Sequence, residues 1–429
     1  MTVLSVNVQS CTPLIVLSNF LGKACISSNS TKLSMTTQLP TCCPSLYRQT
    51  PSPQTSSQVP HSPYPLIPSV PNSTMPSISV SLSLKPMSSL SSFLSSLSSL
   101  PHTVRDTEVP LLFREPYILS GYRPVGHSWS FYFLSLFQIH NETINVWSHL
   151  LAGVCVALRF SVFAVMYGLG LYLDLACLPL VYYVLSLLTY LCCSATAHLL
   201  QSHSELAHYA LFFLDYVGVA VYQYGCALAL YFYSSDPAWR RSRVGEVFLP
   251  AAALLAWLSC ACCCFAKLSY LHPYPLHRKL CQVVPTGLAC LLDSSPVAHR
   301  LVSRTWGDDP AMTLHAIQVL LFLLAAFFFS CPMPERFFPG HCDIIGHGHQ
   351  LFHFLLSLCT LTQQEAVFED FLSRRASLTR EYGECRLQVA AVSFPALVFC
   401  SVLTAVIMRR LVERRLRKED SWGEEVERG

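Results

Sequence analysis

The chain has 429 residues, of which 52% are hydrophobic and only 12% charged, against about 25% charged in an ordinary soluble domain. With a mean hydropathy of +0.41, this composition excludes a typical soluble globular protein and points to lipid. The net charge of +3 is small and scattered, which argues against a nucleic-acid partner.

Residues 1–104 read as a disordered, Ser/Pro-rich tail. Stretches such as Ser88-Ser89-Leu90-Ser91-Ser92 sustain no apolar period and offer few residues for a core. Sequons at Asn29 and Asn72 lie within it. The first apolar stretch, Leu14 to Leu21, has no basic residue just before it and is not expected to act as a secretory signal. Residues 105–145 read as an interfacial amphipathic lead-in. They carry Phe113-Arg114-Glu115-Pro116-Tyr117, Gly121-Tyr122-Arg123-Pro124 and an aromatic run from Trp129 to Phe137, and such mixtures suit a membrane interface.

Apolar segments of spanning length then recur near 146–168, 176–200, 208–233, 246–267, 280–302, 311–331, 346–363 and 387–408. A bilayer core takes about 20 apolar residues per helix. The expected fold is therefore an all-α integral membrane protein: a seven-helix bundle over 146–370, then an outer loop and an eighth span over 371–408. The fifth segment is the weakest, because Asp293 and Pro296 interrupt it. Residues 409–429 form a charged tail with Arg409, Arg410, Arg414, Arg415, Arg417 and Lys418, expected on the cytoplasmic side. Arg240, Arg241, Arg243, Arg374 and Arg375 fall on the opposite side, so basic residues alone leave the orientation open.

The chain has 20 cysteines, spaced unlike a disulfide framework. Cys192, Cys193 and Cys290 sit in apolar runs as small hydrophobes. Cys260, Cys262, Cys263 and Cys264, beside Lys267, are either packing residues or S-palmitoylation sites.

Ionisable residues inside spans are costly and are candidates for function. His198 lies near the end of the second span, Asp215 about two turns into the third, and His349 and His353 in the first turns of the seventh. In an alternating bundle these positions share one membrane face. His349 and His353 are four residues apart and so stack on one helical face, as do Ser194 and His198. Three imidazoles leave one tetrahedral position open, as in a catalytic zinc site. Asp215 would then bind the metal or hold a water on it, with Ser194 alongside. The alternative is a set of interfacial histidines with satisfied hydrogen bonds, the reading given to His203, His208, His315 and His347.

These residues also resemble a known family. Cys193-Ser194 with His198, Ser202-His203-Ser204-Glu205, Asp215-Tyr216-Val217-Gly218 and Gly346-His347-Gly348-His349-Gln350-Leu351-Phe352-His353 look like the signature of the progestin and adiponectin receptor family, which includes haemolysin-III-like proteins. His140-Asn141-Glu142 and Asn145-Val146-Trp147-Ser148-His149 are similar to the family's motif before the first span. The likeness runs in order over about residues 105 to 370. It is strongest to the membrane progestin receptors of the alpha and beta types, through Asp215 to Tyr224, Ser295 to Arg300 and Cys331 to Arg336. The resemblance implies zinc held by His198, His349 and His353, with Asp215 and Ser194 near a water on the metal, and a cytoplasmic N-terminus. The sequence has neither an Asp-Arg-Tyr triplet nor an Asn-Pro-x-x-Tyr motif, in keeping with that orientation.

The function this implies is a multi-pass plasma-membrane receptor for a progestin steroid, signalling through an inhibitory G protein in processes such as oocyte maturation. The alternative is a zinc-dependent intramembrane lipid amidase of ceramidase type; a purely structural membrane protein would leave the converging polar residues unexplained. For steroid contact, Gln223 lies about two turns deeper than Asp215, flanked by Tyr222 and Tyr224. Gln223 either donates to a ring ketone or serves as interhelical glue.

Overall fold

The computed structural model describes residues 87–169, 175–270, 275–303 and 309–428. The first 86 residues, with the Asn29 and Asn72 sequons, lie outside the described residues. Among the described residues the chain is helical and has no strand, only an isolated bridge between Val104 and Tyr122. The long helices are α1 (Thr143–Met166), α2 (Leu178–Leu200), α3 (Glu205–Ala229), α4 (Arg243–Ser269), α5 (Leu276–Ser303), α6 (Pro310–Ser330), α7 (Gly348–Arg374) and α8 (Leu378–Arg428).

Each of α1 to α6 is long and apolar enough to cross a bilayer, as is the run Gly348–Glu419 that contains α7 and most of α8. That run has 72 residues and would be about 108 Å long if straight, over three times a bilayer core of about 30 Å. It folds back instead, through a turn at Arg375–Ser377 and through Gly383, whose φ of 72° and ψ of 157° no helix accommodates. Helices α1 to α5 pack in sequence order, α6 packs on α7, α7 closes onto α1, and α8 lies against α3 and α4.

Helix α5 runs unbroken through Pro285, Asp293 and Pro296. Its buried residues, Ala289, Asp293, Pro296, Val297 and Arg300, recur at helical spacing on one stripe. The polar groups that weaken its hydropathy therefore turn into the bundle rather than toward lipid. Cys260 and Cys264 are buried on α4, which gives these two to packing. The tail reading needs correction over Met87–Ser98, which forms a helix. Phe93, Leu94 and Leu97 supply an apolar stripe that the intervening serines dilute, and Phe93 meets the ring of Phe137 edge-on at 5.6 Å.

The lead-in residues cap the bundle end. Val109, Phe113, Ile118 and Tyr122 make a small core of their own. Arg123 is buried and donates to the carbonyls of His198, at 2.7 Å, and Leu199, which closes the free C-terminal end of α2. Trp129, Phe133 and Phe137 stay exposed on the outside of this cap.

Helices α2 and α3 are in tight contact where α3 has glycine. A methyl group at Gly218 would lie 3.0 Å from the Cα of Tyr190, and one at Gly225 would overlap the Ser186 side chain. This small-residue seam sets the register that places Asp215 opposite Ser194. Gly225→Leu is expected to destabilise the protein by about 1–3 kcal/mol through overpacking. Gly287→Ala, on α5 with nothing near its added carbon, should raise stability by about 0.5–1 kcal/mol, the gain in helix propensity. Thermal unfolding in detergent measures both.

Candidate metal centre

The N-terminus of α7 is built by the residues before it. Gly346, at φ +95°, turns the chain, and His347 occupies the N-cap position. Gly348 then lets the Glu335 carboxylate reach its backbone N–H at 2.7 Å, where a side chain would crowd the Met333 carbonyl at 3.0 Å. A carboxylate at this end also complements the helix dipole. His349 and His353 follow on one face of the helix.

The structure brings these two rings to His198, at the end of α2. One ring nitrogen from each of the three lies within 4.8 Å of the others. The Nε2 atoms of His198 and His349 are 3.5 Å apart. Two imidazoles on one tetrahedral zinc, at about 2.0–2.1 Å from the metal, would have nitrogens about 3.3 Å apart. His198 and His353 are buried and His349 is half-buried. The donor set, its spacing and its burial fit a borderline divalent cation.

Glu142, just before α1, holds His198 in place. Its carboxylate accepts from His198 Nδ1 at 2.7 Å, Gln201 Nε2 at 2.8 Å and Asn145 Nδ2 at 2.5 Å. Burial alone would raise this carboxyl, but the opposing His198 and these hydrogen bonds hold it well below the usual carboxylate range. With Nδ1 committed to Glu142, His198 presents Nε2 to the other rings. The adjacent Asn141 serves α7: its carbonyl accepts from Gln350 Nε2 at 2.9 Å and pairs with His347 Nε2 at 3.2 Å. His353 is held differently. Its Nδ1 is buried with no hydrogen-bond partner among the described residues, and its ring stacks on His149 of α1 at 4.1 Å.

Asp215 is hydrogen-bonded to Ser194 and stands near His198, but it is not among the three residues whose ligand atoms converge. This arrangement suits a group that holds a small polar molecule beside a cation better than a direct ligand.

Gln223 and Tyr222 line a cleft between α3, α5, α6 and α7, together with Leu230, Val297, Phe322 and Gln363. Gln223 is tied to its walls: Oε1 accepts from Ser259 at 2.7 Å, and Nε2 reaches the Thr286 carbonyl at 3.4 Å and Cys290 Sγ at 3.5 Å. The Tyr222 hydroxyl donates to Gln363 at 3.1 Å. Tyr224 does not join them. Its hydroxyl bonds Ser393 on α8 at 2.7 Å, because consecutive helical residues point about 100° apart.

Sequence reasoning gave several of these residues no role. Glu142 and His149 stood only in the motif before the first span. Glu142 lies outside any span, so an argument from depth in the membrane does not reach it. A second polar cluster sits at the far end of the bundle. There Asp370 accepts from Arg300 at 2.6 Å and lies 2.8 Å from His315 Nε2, and Arg300 also pairs with Asp309. His315 is thus satisfied by an ion-paired network. The reading of His208 as hydrogen-bonded needs correction. Both of its ring nitrogens are buried without a partner among the described residues, and its ring packs edge-on against Phe113 and Phe212.

Comparison with known proteins places these features in context. The haemolysin-III-related family profile matches residues 137–364. Membrane progestin receptor beta of Homo sapiens is 54% identical over 327 residues, covering 76% of this chain and 92% of that protein. Membrane progestin receptor alpha of Sus scrofa is 50% identical over 316 residues, covering 73% and 89%. Membrane progestin receptor alpha-B of Danio rerio is 46% identical over 329 residues, covering 76% and 92%.

Asp370→Leu leaves the buried Arg300 without its inner partner and is expected to cost about 3–5 kcal/mol. Thermal unfolding in detergent should register this as a marked loss of stability.

Proposed function

This chain belongs to the haemolysin-III-related family, and from that premise we propose that it is a multi-pass membrane receptor for progestins. The observation that carries the reading is 54% identity to a membrane progestin receptor across 92% of that protein's length. The cleft supports it physically. Leu230, Val297 and Phe322 offer apolar contact for a steroid skeleton, and the Gln223 amide offers a donor for a ring ketone.

The proposal extends to the plasma membrane, a cytoplasmic N-terminus and signalling through an inhibitory G protein, as in oocyte maturation. The charge of α8 supports the orientation. Arg409, Arg410, Arg414 and Arg417 are exposed near its C-terminus, where Arg415 reaches the Leu268 carbonyl at the end of α4. An exposed basic helix end suits an anionic inner leaflet.

The proposed cation is zinc, held by His198, His349 and His353. Bound there, zinc supplies a Lewis acid and a crosslink between α2 and α7. The chain's own groups do the rest. Glu142 fixes the tautomer and orientation of His198. His149 supports the ring of His353 by stacking. Asp215 and Ser194 form a polar wall that holds a water molecule beside the three histidines. Helix α7 also contributes Cys359 and Gln363 to the cleft, so fixing its first turns fixes that wall of the steroid site.

Purified protein is expected to contain one zinc per chain by elemental analysis. His349→Ala should lose it, and Glu142→Gln should weaken zinc affinity about 10–100-fold in competition with a chelating dye. Metal-free folded protein would refute the zinc assignment.

Gln223→Ala should weaken binding of labelled progesterone up to about tenfold, the worth of one hydrogen bond. Surface expression should be unchanged. Tyr224→Phe, which alters a contact with α8, should bind normally. Unchanged affinity in Gln223→Ala removes the ketone contact, and a fall in stability with intact affinity assigns Gln223 to packing.

A further inference from the structure

Asp215, Asp293 and Asp370 are carboxyl groups that α3, α5 and α7 carry into the bundle. Asp215 is hydrogen-bonded to Ser194, and Asp370 is held by Arg300 and His315. Asp293 differs. It is 6% exposed, its Oδ1 is buried with no hydrogen-bond partner, and no ion pair reaches it among the described residues. An ionisable group carried this deep into an apolar bundle is costly, and one without a partner calls for a role.

Its surroundings indicate what that role is. Asp293 lines the cleft described above, beside Gln223, Cys290, Val297 and Gln363. The Gln223 amide nitrogen lies 3.5 Å from Cys290 Sγ, and Cys290 precedes Asp293 by about one helical turn, roughly 4.5 Å along α5. Gln223 and Asp293 therefore flank one end of the cleft. That spacing suits neighbouring oxygens at one end of a ligand better than the two ends of a four-ring skeleton.

We propose that Asp293 is a specificity-determining residue of this cleft, whose unpaired oxygen accepts a hydrogen bond from a hydroxyl group on the polar end of a bound steroid. The proposal rests on the progestin-receptor reading. A carboxyl group always offers an acceptor oxygen, which a ligand hydroxyl can fill whether the carboxyl is ionised or protonated; a ligand carbonyl can pair only with the protonated form. A steroid lacking the hydroxyl leaves that buried oxygen unpaired, and discrimination is greatest at sites of this kind.

The test uses the full-length protein in membranes. Labelled progesterone is displaced by unlabelled progesterone and by its 2α- and 4-hydroxy derivatives, whose hydroxyl neighbours the ring ketone, in wild type, Asp293→Leu and Asp293→Asn. In wild type, one hydroxylated competitor should outcompete progesterone by about tenfold. The preference should fall to about twofold or less in Asp293→Leu and persist in Asp293→Asn, which keeps an acceptor oxygen.

Thermal unfolding without ligand supplies an independent readout. Asp293→Leu should melt higher than wild type, because it removes a buried unpaired carboxyl, whereas Asp370→Leu should melt lower. The proposal is overturned if progesterone binds but no hydroxylated derivative is preferred, if the preference survives in Asp293→Leu, or if Asp293→Leu melts lower, as for a structural residue. Absence of saturable progesterone binding in folded wild type is a separate result, which overturns the receptor reading and this proposal with it.

Discussion

The contact on which the rest of the metal end depends is the pair of neighbouring residues Asn141 and Glu142. The Glu142 carboxylate holds α2 through His198 and Gln201, and the Asn141 carbonyl holds α7 through Gln350 and His347. Two helices that are remote in sequence are thus registered by adjacent links of one chain. The backbone N–H of Asn141 is itself anchored on the Gly121 carbonyl at 2.9 Å, and Gly121, at φ +81°, has no room for a side chain against Ile344 and Asn141. The lead-in segment is therefore part of the site, and the histidines converge because a loop outside the bundle is folded tightly enough to align them.

Much of the interior follows a related rule. Polar groups inside an apolar bundle are tolerated where they bond one another. Asp370, Arg300 and His315 do so at one end, Glu142 and His198 at the other. Gln364 donates to the Val156 carbonyl at 3.1 Å and Tyr183 to Gln363 at 3.3 Å between them. The last two link α7 to α1 and α2 midway along its length. The exposed Arg159–Glu365 ion pair adds a tie on the outer surface, where solvent or headgroup screening makes it worth less.

The spans were legible in the sequence because apolar length is a one-dimensional signal, and the three histidines were legible because depth in an alternating bundle can be counted. Contacts made at right angles to the chain left no such trace. Glu142 precedes His198 by 56 residues, so no periodicity joins them. Tyr222, Gln223 and Tyr224 look like one group on paper, yet helical rotation sends the last to α8 and leaves the first two on the cleft. The helix at Met87–Ser98 was hidden by serines, whose hydroxyls bond back to carbonyls three or four residues earlier, as Ser95 and Ser96 both do to Ser92. Asp293 marked α5 as a weak span by hydropathy, whereas in three dimensions the same residue faces the interior.

The metal end and the cleft are two levels of the same helices. Asp215 and Gln223 are eight residues apart on α3, about 12 Å along its axis, and His353 and Gln363 are ten apart on α7, about 15 Å. Both stretches are unbroken helix, so neither end can rotate about its axis without carrying the other. A cation that grips His349 and His353 sets the rotation of α7, and with it the direction in which Gln363 meets Tyr222 in the cleft. Where a cation and a steroid both bind the same rigid helix, linkage imposes reciprocity: whatever factor the cation contributes to steroid affinity, the steroid returns to cation affinity.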